Sequence, residues 1–84
     1  MSSEREELLG TVAEQLVSYR IGLGLEVEEA AREAGIEPER LAAAEEAQMA
    51  LSEEELGRLA DAYGVGVTAF FGGKVTPYSY LFGA

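Results

Sequence analysis

Signals that start and stop helices recur at short intervals along this chain. Gly35 stands where a left-handed residue would end one helix, and Pro38 suits the first turn of the next. Ser52 and Glu55 form an S-x-x-E capping box in front of an apolar pattern, and Gly64 follows that pattern as a stop. These signals, together with apolar residues at helical spacing, predict an all-α fold built from short helices.

The helices can be placed from these signals and from the apolar residues between them. Predicted helices cover about residues 3–21, 26–34, 38–46, the stretch from the capping box to 63, and 67–71. The residues expected to face inward are Leu9, Val12, Ala13, Leu16, Val17, Leu41, Ala44, Leu56, Leu59, Ala60 and Tyr63. A chain of 84 residues forms one domain with a modest core, for which oligomerisation is a common remedy.

The last residues have a different character. The segment 74–82 reads KVTPYSYLF, and Tyr78, Tyr80 and Phe82 alternate as in a strand, although Pro77 would confine such a strand to an edge. We therefore predict a helical domain over residues 1–73 and an aromatic tail over residues 74–84. The tail aromatics would either support dimerisation or partner binding, or pack back on the helices of their own chain.

Several classes of function are excluded by composition. The chain has no Cys and no His, and it has no glycine-rich phosphate loop. Adjacent glutamates such as Glu28 and Glu29 point about 100° apart on a helix and do not make a catalytic dyad. We therefore predict no enzyme activity, cofactor, metal or small-molecule substrate. The polar, acidic N-terminus and the lack of an apolar run of about 20 residues predict a cytoplasmic protein that does not contact membranes.

A set of short motifs, in this order, carries a family resemblance. They are Ser18–Leu25, Ala30-Ala31, Ala34-Gly35-Ile36, Leu41 with Glu45, Leu59–Val65 and Phe70-Phe71-Gly72. Together they resemble the lambda/434-repressor and Cro class of helix-turn-helix domains, the XRE family. The resemblance implies a five-helix Cro/C1-type domain, here with a short extended C-terminal tail, and a dimeric regulator of transcription. It also implies a structural ion pair between Arg20 and Glu45.

The charge of the matching region has the wrong sign for DNA. Between Glu26 and Glu55 there are eleven carboxylates and two cations, and the whole chain carries a net charge of −10. In the family, DNA is anchored from the start of the second helix and read from the first turns of the third. This chain has Glu26 and Val27 at the start of the second helix, and two glutamates with one arginine in the first turns of the third. The residues implied to face DNA or a partner are Glu28, Glu37, Glu39, Arg40 and Ala43.

Two functions follow from this conflict. The first is regulation through protein contacts, as a homodimer or with a basic protein partner, because acidic surfaces complement basic ones. The second is a conventional dimeric repressor that binds a specific DNA sequence with unusual base contacts. Charge disfavours the second, because proteins bind duplex DNA largely by placing Lys and Arg on phosphates.

Overall fold

A computed structural model of the protein describes residues 4–73, which form helices and no strand. The elements are α1 (Glu4–Gly22), α2 (Val27–Ala34), α3 (Pro38–Glu45), α4 (Glu53–Tyr63) and a 3-10 helix (Val67–Phe71). The predicted all-α fold and order of elements are confirmed. The predicted tail contacts, Tyr78, Tyr80 and Phe82, lie outside the described residues.

The limits of the helices differ slightly from the predictions. Glu26 precedes α2 as its N-cap, with an extended backbone (φ −79°, ψ 161°), and Glu46 follows α3 as its C-cap. The fifth element has the predicted limits and is a 3-10 helix. A segment of five residues is short enough for i→i+3 hydrogen bonds to replace the α-helical pattern.

The turn between α2 and α3 is set by local chemistry. Gly35 takes a left-handed backbone (φ 70°, ψ 36°), and the N–H of Ile36 donates to the carbonyl of Ala31 at 2.9 Å. This is the bond that closes a Schellman motif, and the buried side chain of Ile36 fixes the exit of the chain. Pro38 then begins α3 without a lost hydrogen bond, because the first helical N–H has no partner within the helix.

The predicted capping box begins α4. The N–H of Glu55 donates to the Ser52 hydroxyl at 3.1 Å, and the N–H of Ser52 donates to the Glu55 carboxylate at 2.8 Å. Two donors at the start of the helix are thereby satisfied by side chains. The predicted capping box is confirmed. The Glu55 carboxylate that closes it also accepts hydrogen bonds from Arg40.

The core lies where α1, α2, α3, α4 and the 3-10 helix meet. Its largest fully buried side chains are Phe70, Leu16, Leu41, Leu51, Leu56, Leu59 and Val12. Phe70 contacts the rings of Tyr19 and Tyr63 edge-on, with both centroid distances at 6.1 Å. Most residues predicted to face inward are buried, whereas Leu9 and Val17 are only partly buried.

Candidate functional site

The outer face of α3 carries acidic side chains at both ends and small side chains in the middle. Leu41 and Ala44 face the core, so the opposite side carries Glu39, Ala42, Ala43 and Glu46 at helical spacing. Glu39 and Glu46 are exposed, and the two alanines are half-buried. This face offers carboxylate acceptors beside a shallow alanine surface, and it carries no cation.

The outer side of α2 continues the acidic surface. Ala30, Ala31 and Ala34 are buried, which leaves Glu28, Glu29, Arg32 and Glu33 exposed. The Glu29 carboxylate accepts the N–H of Glu26 at 2.8 Å, so a resident anion already lies at the start of the helix. A helix start of this kind is poorly prepared to receive a phosphate, because the anion-binding N–H groups and the local dipole serve a carboxylate.

Arg40, the one cation predicted to face DNA or a partner, is bound within the domain. Its Nε and Nη2 donate to the Glu55 carboxylate at 2.8 and 2.7 Å, a bidentate contact that joins α3 to the start of α4. The pKa of Glu55 is lowered, first by the hydrogen bonds from Arg40 and further by the backbone N–H of Ser52. Sequence reasoning missed Glu55 as the partner, because the two residues are 15 positions apart and meet only through tertiary packing.

The structure brings Arg20 and Glu45 together as a bidentate ion pair. Nε and Nη2 of Arg20 donate to the carboxylate at 2.7 and 2.9 Å, and Nη1 donates to the carbonyl of Leu25 at 2.8 Å. The side chains are 14% and 6% exposed. Hydrogen bonding to Glu45 raises the pKa of Arg20. One guanidinium thus ties the end of α1, the turn before α2 and the last residue of α3.

Arg58 makes a third internal tie. Its Nε donates to the carbonyl of Ala34 at 2.7 Å, and its Nη1 donates to the Glu54 carboxylate at 2.8 Å. From its place on α4, Arg58 therefore satisfies a carbonyl at the C-terminal end of α2. A cation at that end of a helix also complements the helix dipole. Arg32, by contrast, makes no ion pair with any of residues 4–73.

The arrangement defines the class of protein. Two short helices, α2 and α3, are joined by a three-residue turn and held against α1 and α4 by core packing and arginine contacts, which is the architecture of a helix-turn-helix domain. The family model described as helix-turn-helix matches residues 16–70, and the chain belongs to this XRE family. No curated protein and no solved structure shows significant similarity to the chain.

Family membership makes the protein a helix-turn-helix regulator of transcription, from a family of DNA-binding regulatory domains. Within residues 4–73, no helix combines the length and hydropathy needed to cross a bilayer. In the same part of the chain, no group of three Asp or Glu side chains is placed to hold a metal ion.

Proposed function

We propose that the protein regulates transcription by binding a basic protein with the outer face of α2 and α3, and that it does not read duplex DNA directly. The observation that carries this proposal is the internal commitment of Arg20, Arg40 and Arg58 to carboxylates and carbonyls of their own domain. The exposed glutamates Glu28, Glu37 and Glu39 form no ion pair with residues 4–73. The surface left to a ligand is therefore anionic.

The number of cations available on α2 and α3 favours this assignment. Specific duplex binding typically uses about 6–10 phosphate contacts, each of which releases counterions. On α2 and α3, Arg32 is the cation without an ion pair to the described residues, and the charge of Arg40 is already balanced by Glu55. These two helices therefore offer little net positive charge to phosphates. A basic protein surface requires no cation there.

The proposed contacts are made by Glu28, Glu37 and Glu39. All three are exposed, and none forms an ion pair with the described residues. Complementary charge of this kind sets the orientation and the rate of association more than the final affinity. Ala43 lies between the acidic ends of α3, where its small side chain permits close approach of a partner.

The test compares two labelled probes by fluorescence polarisation. A random duplex of about 30 base pairs, tested at about 20 and about 200 mM salt, measures phosphate attraction, which must weaken steeply as salt rises. A lysine-rich peptide measures attraction to a basic chain. We expect binding of the peptide and no binding of the duplex, even at low salt.

Matched variants locate the binding surface. E37Q/E39Q removes two charges from the proposed face, whereas E7Q/E14Q removes two exposed charges from α1. We expect the first to weaken peptide binding by about 3- to 10-fold, since exposed charge pairs contribute up to about 1 kcal/mol each. The second should leave the affinity within about twofold. Equal effects of the two variants would show non-specific attraction to net charge and would contradict the proposal.

Family membership and the intact α2–turn–α3 geometry favour one competing function, a conventional dimeric repressor. In that case the duplex binds at low salt and is released steeply as salt rises. Two recognition helices about one DNA turn apart in a dimer would be its geometric signature. This result would overturn the proposed protein-contact function.

A further inference from the structure

The Glu55 carboxylate is held by two groups at once. It accepts the N–H of Ser52 at 2.8 Å in the capping box of α4, and it accepts Nε and Nη2 of Arg40 at 2.8 and 2.7 Å. The Glu55 side chain is 13% exposed, whereas the Arg40 side chain is 41% exposed. The carboxylate is thus fixed by the start of its own helix, and it fixes a guanidinium that lies at the surface.

A second carboxylate lies within electrostatic reach of Arg40. Glu37 precedes α3 as its N-cap, three residues before Arg40, and residues three apart are neighbours on a helix surface. Hydrogen bonds from Arg40 to Glu55 are the main cause of the raised pKa of Arg40, and the charge of Glu37 adds to this effect. Glu37 is nevertheless exposed and forms no ion pair with residues 4–73. Arg40 therefore pairs with the carboxylate that is distant in sequence and leaves the nearby one unpaired.

The geometry explains why Glu55 holds the arginine. Its contact is bidentate, which is the strong form of an arginine–carboxylate pair, and the capping box has already ordered its side chain. A pair between Glu37 and Arg40 would join two surface side chains within one helical turn, and pairs at this spacing are favourable but weak. Removal of the Glu55 charge would leave Glu37 as the carboxylate that still acts on Arg40.

We infer that Glu55 is a positioning residue for the basic partner: by holding Arg40 against the start of α4, it keeps the Glu37 carboxylate available to a Lys or Arg of the partner. The inference rests on the proposed function and adds a residue on α4 that controls one of the proposed contacts. Glu55 acts through Arg40 and does not itself contact the partner. Without the Glu55 charge, the released arginine competes with the partner for Glu37 and neutralises it part of the time.

The experiment measures whether Glu37 and Glu55 act together when the full chain binds the labelled lysine-rich peptide. E55Q removes the charge that holds Arg40 and preserves the start of α4, because glutamine also closes capping boxes. In the wild-type protein, E37Q should weaken peptide binding by about 3-fold. In the E55Q background, E37Q should weaken it by only about 1.5-fold, because Arg40 already neutralises Glu37 part of the time.

Two controls separate this role from a structural one. Glu39 is adjacent to Arg40, and adjacent helix residues do not face each other, so E39Q should weaken binding by about 3-fold in both backgrounds. Adding R40Q to E55Q removes the competing cation, and E37Q should then again weaken binding by about 3-fold. Damage to the start of α4 would not be repaired by the loss of Arg40. Circular dichroism verifies the fold, and E55D, which reaches less far toward Arg40, serves if E55Q does not fold.

The possible failures are distinguishable. If E37Q weakens binding equally in the wild-type and E55Q backgrounds, or if R40Q does not restore its effect, the inference is overturned while the proposed acidic interface stands. If E37Q has no effect in the wild-type protein but E39Q does, Glu37 is not a contact, and the inference is overturned in the same way. If the wild-type protein does not bind the peptide, the proposed function itself fails.

Discussion

Removing the Glu45 carboxylate measures how much of the fold depends on its ion pair with Arg20. Both side chains are nearly buried, and Arg20 donates two hydrogen bonds to Glu45 and one to the carbonyl of Leu25. Glu45→Ala would strand a largely buried guanidinium with one acceptor in place of three. Breaking a buried pair in this way costs about 3–5 kcal/mol, because the remaining charge is uncompensated.

One opposing contribution reduces this cost. Glu45 is the last residue of α3, where the negative end of the helix dipole disfavours a carboxylate. No basic residue in the last turn of α3 offsets this effect. Removing the carboxylate returns about 0.3–1 kcal/mol. We therefore expect Glu45→Ala to lower the free energy of unfolding by about 3 kcal/mol. At about 4–8 °C per kcal/mol for a domain of this size, the Tm should fall by about 12–24 °C.

Urea denaturation followed by circular dichroism measures the change, provided that the m value stays constant. Glu54→Ala is the control, because it breaks the exposed i,i+4 pair with Arg58 and should change stability by no more than about 0.5 kcal/mol. The double variant R20M/E45L replaces the pair by apolar side chains and should recover most of the loss. A cost below about 1 kcal/mol for Glu45→Ala, or one equal to that of Glu54→Ala, would refute this reasoning.

Four further predictions concern Tyr63, Ala47 and Glu55. The Tyr63 hydroxyl is buried without a hydrogen-bond partner among the described residues, so Tyr63→Phe should stabilise the fold by about 1 kcal/mol in thermal denaturation. A destabilised variant would contradict this. Burial, with a further contribution from Glu45, raises the pKa of Tyr63 to about 12. The free energy of unfolding should therefore be independent of Tyr63 ionisation below about pH 10 and should fall as the pH rises from about 10 to about 12, a decline that Tyr63→Phe removes in alkaline unfolding curves. Ala47 has a left-handed backbone (φ 62°), so Ala47→Gly should stabilise by about 1 kcal/mol in urea, and no gain would argue against strain there. The lowered pKa of Glu55 gives stability that is present above its ordinary value of 4.5 and is lost as pH falls through the folded-state pKa. Glu55→Gln should flatten the acid limb of the stability curve, and an unchanged limb would exclude Glu55 as its source.

The helix limits could be predicted because the signals that set them are local. The Gly35 turn, the Pro38 start and the Ser52–Glu55 capping box each act within a few residues of the backbone that they fix. Local signals predict the closing helix less completely than the others. Over five residues, apolar spacing does not separate a 3-10 helix from an α-helix, so the sequence predicts a short helix over 67–71 without its type.

Contacts between distant residues could not be predicted in the same way. The Arg20–Glu45 pair was expected only through the family resemblance, since 25 positions separate the two residues. No local sequence pattern pairs Arg40 with Glu55, because the S-x-x-E motif already accounts for Glu55 as a capping residue. The sequence therefore placed Arg40 on the outer surface, whereas packing of α3 beside the start of α4 directs it to Glu55.

The positions of the arginines explain how an acidic surface and an XRE fold can coexist. Arg20 ties α1 to α3, Arg40 ties α3 to α4, and Arg58 ties α2 to α4, so each adds a link between helices to a modest core. The exposed glutamates Glu28 and Glu39 take part in none of these links. Substitutions on the outer face therefore leave the contacts between helices intact, whereas substitution of these arginines does not. The scaffold can thus keep its geometry while the charge of its outer face, and the class of partner that this charge attracts, changes.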